Sequence, residues 1–286
     1  MSDPVEGAAS AAPVFVVAPA RRCGTTLLQR ALNSSGNAII YGENFVFLEV
    51  YPAILPGIED NLPLRKARTR DVRRKVLGGK YDIDASAMFP DYLGYVRVMR
   101  AHLDRIAEYY RAQSLDAGRP VWGLKHQIRQ AESFAAFMRY LPNARYLFVY
   151  RNIFDVASSD RARFPRDYPD VQSFVRLGRN WAQNMDFMRS VRTANVLHLE
   201  YDDINKDVTS LIAKIEGHCR VAGIKPEVFE RRINVSPVID RLSREEAVTS
   251  YRPPAELSAS ELDALRTAAA AACQRFGYAV PAGAVA

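Results

Sequence analysis

Short apolar runs recur along the chain, each followed by a turn and then by a stretch in which apolar residues repeat every three or four positions. Val14–Val17 (VFVV), Ala38–Tyr41 (AIIY), Val121–Leu124 (VWGL), Tyr146–Tyr150 (YLFVY) and Val196–Leu199 (VLHL) are such runs. They are too short for helices and rich in β-branched and aromatic residues, so they predict buried parallel strands. After the first, Leu27, Leu28, Ala31 and Leu32 have helical spacing and are closed by Asn33, Ser34, Ser35 and Gly36. Further helices are expected at about Tyr92–Arg111, about Gln130–Tyr140, Asp155–Arg161, Val171–Val191 and Val208–Val221. In the fourth of these, Phe174, Leu177, Trp181, Met185 and Met188 form an inward stripe. Near the end, Ser258 and Glu261 have capping-box spacing before an alanine-rich helix that Gly277 would close.

Strand-then-helix units of this kind predict an α/β fold, a single three-layer domain with a central parallel β-sheet between helices. Residues 13–286 are assigned to it, and 1–12 to a disordered lead-in. The region of about 52–120 is broken up by Gly78, Gly79, Pro90, Gly118 and Pro120, and is expected to form a helical insertion that shapes an acceptor pocket. No internal repeat, low-complexity linker or second domain boundary is visible.

The 286 residues, 48% hydrophobic and 25% charged, have the balance of a soluble protein with a sizeable core. A net charge of +7 points to anionic ligands without choosing among nucleotide, nucleic acid and membrane. The densest basic run, Arg65–Lys75, is read as a solvated helix face rather than a contact surface. Cys23, Cys219 and Cys273 are odd in number and far apart, which indicates neither a disulfide framework nor a zinc site and fits a reducing cytoplasm. The N-terminal MSDPVEGAASAA lacks a basic segment followed by an apolar one, so no signal peptide is expected, and no apolar run approaches the roughly 20 residues of a membrane span.

Chemistry enters at the turn after the first strand. Pro19 to Thr26 (PARRCGTT) lead from strand to helix, an arrangement in which unpaired backbone N–H groups and the positive end of the helix dipole converge on an anion. The ordinary phosphate loop, GxxxxGK[ST], is not matched: Pro19 stands at its first glycine and Thr25 at its lysine, while the cation, Arg22, precedes Gly24. A second motif, RNIFDVASS from Arg151 to Ser159, begins at the carboxyl end of the fourth strand, and ligands in open α/β sheets bind at that end. Arginine supplies a fork of donors matched to phosphate oxygens, and a serine hydroxyl completes the cradle.

Together these stretches resemble the sulfotransferases. That family's 5′-phosphosulfate loop is similar to Arg22-Cys23-Gly24-Thr25-Thr26. Its 3′-phosphate motif is similar to Arg151, Asp155-Val156-Ala157 and Ser159, with Ile153 where the family often has proline. Its tyrosine-acidic-acidic segment is matched by Tyr201-Asp202-Asp203, and its lysine at the end of a middle strand by Lys125. The resemblance covers about Pro13 to Ile215. It implies 3′-phosphoadenosine 5′-phosphosulfate as donor, adenosine 3′,5′-bisphosphate as product, no metal, and a hydroxyl-bearing acceptor that is a small molecule, a peptide tyrosine or a sugar. Arg22, Cys23, Gly24, Thr25, Thr26, Arg151, Ser159, Arg163 and Tyr201 are then the donor-binding candidates. The family's glycine-rich C-terminal segment is not visible, and Arg241, Arg244 or Arg252 is expected to substitute for it.

Sulfuryl transfer in line asks a protein to position reactants and stabilise charge. Arg22 and Lys125 are the candidates for the charge. For the base, Glu43 leaves the second strand at the ligand end and is placed ahead of His126, since a lone histidine beside a strand is more often structural. His102, His198 and His218 are read as structural. A helix N-terminus would lower the Cys23 thiol pKa, but the residue is taken as a small loop filler. Two other functions compete: a magnesium-dependent kinase of a small metabolite, which the absent loop lysine disfavours, and a basic nucleic-acid-binding module, for which no motif is present.

Overall fold

The computed structural model describes residues 11–53, 62–83, 92–204, 206–230 and 254–281. The lead-in up to residue 10 and the three candidate arginines Arg241, Arg244 and Arg252 lie outside the described residues.

Five parallel strands form the sheet: β1 (Val14–Ala18), β2 (Ala38–Tyr41), β3 (Val121–Gln127), β4 (Arg145–Tyr150) and β5 (Val196–Glu200), in the order β2-β3-β1-β4-β5. Every strand lies where an apolar run predicted it. The residues of β1 are fully buried, as expected of a central parallel strand covered on both faces. Phe15 on β1 meets Trp122 edge-on at 5.9 Å and stacks on Tyr146 at 5.6 Å, so aromatic rings from three adjacent strands share one core.

The chain runs from β1 through α1 (Thr25–Ser34) to β2 on one side of the sheet, and from β4 through α5 (Ile153–Arg163) and α6 (Val171–Ser190) to β5 on the other. The connections after the neighbouring strands β1 and β4 thus depart in opposite directions. This is a topological switch point, where a crevice opens beyond the strands' carboxyl ends. The remaining helices are α2 (Leu62–Leu77), α3 (Tyr92–Asp116), α4 (Ala131–Tyr140), α7 (Val208–Cys219), the short α8 (Glu227–Glu230) and α9 (Ala259–Phe276). The capping box of Ser258 and Glu261 starts α9, and Gly277 ends it with φ +77°.

β3 is longer than expected. It was predicted to stop at Leu124, but its pairing with β1 continues to Gln127 opposite Ala18, and Ile128 N–H donates to the Ala18 carbonyl. The backbone ladder carries polar side chains into the strand, so Lys125 and His126 project to opposite faces instead of leaving a strand end together.

Gly123 on β3 is set by close approach: a Cβ there would lie 1.6 Å from the Val14 carbonyl oxygen and 3.0 Å from Ile40 Cδ1. Gly123→Ala should therefore force β1 and β3 apart and lower stability by about 3 kcal/mol or more. Thermal unfolding of the variant checks this, and an unchanged midpoint would refute it.

The chain divides into two compact units, one drawing on residues up to Glu43, Ser114–Ala131 and from Asn143 onward, the other on Asn44–Gln113 and Glu132–Pro142. The first holds the sheet. The second begins at Asn44, ahead of the insertion expected from residue 52, and takes in most of α4 as well. Within it, Asn44 accepts from Phe47 N–H to start a π-helical turn at Val46–Val50, and Phe47 packs edge-on against Phe137 at 5.3 Å. In α2 the basic run has exposed Arg70, Arg73 and Arg74, with Asp71 paired to Arg74 and Lys75, which is the solvated face that the sequence predicts. No helix among the described residues is long and apolar enough to cross a membrane.

Candidate active site

All the donor-binding and catalytic candidates belong to the first unit. The turn after β1 carries two left-handed residues, Arg22 at φ +67° and Gly24 at φ +101°. Glycine adopts this freely, whereas for arginine it costs about 1 kcal/mol or more, so surrounding contacts must hold the loop. Gly24 caps α1 with no side-chain acceptor and no acidic residue in the first turn. The leading N–H groups of α1 therefore face their ligand side without an anion of the protein's own. A Cβ on Gly24 would lie 2.5 Å from Tyr201 Cδ2, so the ring of Tyr201, in the turn after β5, lies directly against the loop.

Arg151 leaves β4 beside this loop. Its Nη1 donates to the Arg22 carbonyl at 3.0 Å, and its guanidinium lies 4.4 Å over the Tyr201 ring. Trp181 Nε1 donates to the Arg151 carbonyl at 3.2 Å. Arg151 Nε is buried with no hydrogen-bond partner among the described residues. A charged donor withdrawn from water without an acceptor is costly, and a phosphate oxygen is the acceptor that it fits.

Asn152 accepts from Phe154 N–H and starts α5 two residues earlier than predicted, which puts Ser159 two turns into the helix. There Arg22 Nε donates to Ser159 Oγ at 3.1 Å. The two sequence motifs, 137 residues apart at this contact, are in direct hydrogen bond. Burial holds the Arg22 guanidinium below its ordinary value; Arg163 and Arg151 push the same way, against an opposing pull from Asp160. Three guanidiniums near one another favour an anionic ligand among them.

Cys23 is fully buried, and burial pushes its thiol up to about 12. The depression expected from a helix N-terminus is thus reversed, because desolvation of the thiolate outweighs the dipole. Its sulfur lies 3.8 Å from the Arg21 carbonyl oxygen.

On the other side of β1, Lys125 Nζ lies 3.3 Å from Thr26 Oγ1 and 3.2 Å from Glu43 Oε1. The sequence-predicted lysine, hydroxyl and carboxylate are therefore together. His126 is only 2% exposed and faces away from them. His198 bonds the Tyr150 hydroxyl and the Val191 carbonyl, His218 the Tyr146 carbonyl, and His102 packs on Tyr51, so all three have structural contacts.

Sequence reasoning missed the residues that anchor the loop. Asn184 Nδ2, on α6, donates to the carbonyls of Pro19 and Ile128, tying the end of β1 to the end of β3. Arg21 pairs with Asp160 and Asp167. A signal existed for Asp160: an acidic residue directly after Ser159 and followed by the basic Arg161 and Arg163.

The turn after β1, the start of α1 and the guanidiniums of Arg22 and Arg151 thus lie together at the carboxyl ends of the strands, an arrangement suited to an anion. The model of the sulfotransferase family matches residues 13–225, and the chain belongs to that family. Among solved structures, the sulfotransferase domain from the curacin biosynthetic pathway is similar in fold, with a TM-score of 0.50 at 12% identity over 94% of this chain and 99% of that one. The sulfotransferase domain from the Synechococcus PCC 7002 olefin synthase gives a TM-score of 0.47 at 14% identity over 98% and 100%. No curated protein sequence matches significantly.

Proposed function

We propose that the protein transfers a sulfuryl group from 3′-phosphoadenosine 5′-phosphosulfate to an acceptor hydroxyl. The observation that carries this reading is the hydrogen bond from Arg22 to Ser159, with Arg151 bonded to the Arg22 carbonyl. It joins two anion-holding features in one crevice, which suits a ligand with phosphate at two places. The backbone N–H groups and hydroxyls of Thr25 and Thr26, at the start of α1, hold the phosphosulfate end. Arg151, through its unpartnered Nε, and Ser159 hold the 3′-phosphate, with Arg163 adding charge nearby.

The donor supplies an activated sulfuryl group whose leaving oxygen belongs to a phosphate. Arg22 and Lys125 stabilise the negative charge that grows there as the bond to sulfur breaks. Glu43 takes the proton of the acceptor hydroxyl as its oxygen bonds to sulfur, and the contact with Lys125 orients the carboxylate. The burial of His126 on the opposite face supports Glu43 over it. Three buried free cysteines suit a reducing compartment such as the cytoplasm.

Thermal unfolding with adenosine 3′,5′-bisphosphate, ADP or magnesium-ATP tests this. A ligand at a hundredfold excess over its Kd adds about 2.7 kcal/mol to folded-state stability. The bisphosphate is expected to raise the midpoint more than the others; stabilisation by magnesium-ATP alone would replace the reading with a kinase.

A further inference from the structure

The residue before Arg22 has no part in the proposed donor contacts, yet it makes the strongest ionic contacts of the loop. Arg21 Nη2 lies 2.7 Å from Asp160 Oδ2 and Nη1 lies 2.8 Å from Asp167 Oδ2, while its guanidinium covers the Phe164 ring at 4.6 Å. The Asp160 side chain is 1% exposed, and the same Oδ2 accepts from the Tyr168 hydroxyl. Its other oxygen, Oδ1, is buried with no hydrogen-bond partner among the described residues. A carboxylate that gains only part of its hydrogen bonding from burial is a poor device for general stability. It also repels any phosphate in the crevice. Its place needs another explanation.

That explanation lies in register. Consecutive loop residues Arg21 and Arg22 grip consecutive helix residues Asp160 and Ser159. Arg22 has left-handed backbone, which an arginine holds only when neighbours over-determine it. The pair on one side of Arg22 and the cap Gly24 on the other leave it a single conformation. Asp160 also places negative charge beside a guanidinium that Arg151 and Arg163 repel, and so keeps the cationic cluster together when no anion is bound.

We infer that Asp160 and Arg21 are positioning residues, a buried ionic clasp that fixes the loop after β1 on α5 and so pre-assembles the two phosphate-binding features. The inference rests on the bisphosphate-donor reading. Pre-organisation of this kind acts on ligand affinity, because ordering that is complete before binding is not charged against it.

The test is calorimetric titration of the full chain with adenosine 3′,5′-bisphosphate, comparing wild type, Asp160→Asn, Arg21→Ala and the double variant. Each single variant is expected to raise Kd at least tenfold while stoichiometry stays at one ligand per chain. The double variant should be no worse than the weaker single variant, since the two residues act as one clasp. Arg21→Lys keeps the charge at a half-exposed position and serves if the buried substitution fails to fold; lysine lacks the fork to bridge two aspartates, and a Kd at least threefold higher is expected. Unchanged Kd with a reduced binding-competent fraction would mean a merely structural pair and would overturn the inference. So would additive effects of the two substitutions. If wild type itself does not bind the bisphosphate, the donor reading falls and this inference with it; if wild type binds and the variants bind equally well, only the clasp is wrong.

Discussion

Arg151→Ala is expected to weaken adenosine 3′,5′-bisphosphate binding by about a hundredfold or more. The substitution removes the buried, unpartnered Nε, the bond to the Arg22 carbonyl and the cover over Tyr201 in one step. Truncating one partner of a buried charged pair costs about 2–5 kcal/mol, and 1.4 kcal/mol is a factor of ten in Kd. The Trp181 contact is to the Arg151 backbone and survives the change, so β4 and α6 should stay joined. Arg151→Lys restores the charge without the planar fork and should recover only part of the loss. Calorimetry on the three proteins measures this. Equal affinity for wild type and Arg151→Ala would remove Arg151 from the donor site.

Glu43→Gln should leave bisphosphate affinity within about twofold of wild type and slow transfer by roughly 10²- to 10⁴-fold, the range of general-base catalysis. Glutamine keeps the shape and still offers Lys125 an oxygen, so position is retained and only proton acceptance is lost. Turnover is followed as bisphosphate release in the presence of a phenolic or sugar acceptor. A variant with normal turnover would take the base role away from Glu43. A variant that turns over slowly because it no longer binds the bisphosphate would make Glu43 a donor-site residue instead.

Much of the architecture was legible because it is written locally. A short apolar run followed by a turn marks a strand wherever it falls, and all five strands of the sheet carry that mark. The capping box at Ser258 was legible for the same reason, since both partners lie within one helical turn. The extension of β3 to Gln127 was not, because it depends on the ladder that β1 offers and not on the apolarity of Lys125, His126 and Gln127. Those three residues alone look like a loop. The difference matters, for it sends His126 into the protein and Lys125 towards Glu43.

The amino-acid sequence by itself determined the five strands in their order along the chain, the parallel sheet, and the placing of Arg22 and Arg151 after the carboxyl ends of strands, all from local spacing and chirality. Only the tertiary structure decided what faces what. The Arg21–Asp160 pair spans 139 residues and the Arg22–Ser159 bond 137, and no local spacing says that these residues meet. Cys23 shows the same limit: its position predicts a lowered thiol pKa, and burial raises it to about 12. Burial and long-range charge are properties of the packed chain, so they exist only once strands distant in sequence have been brought side by side.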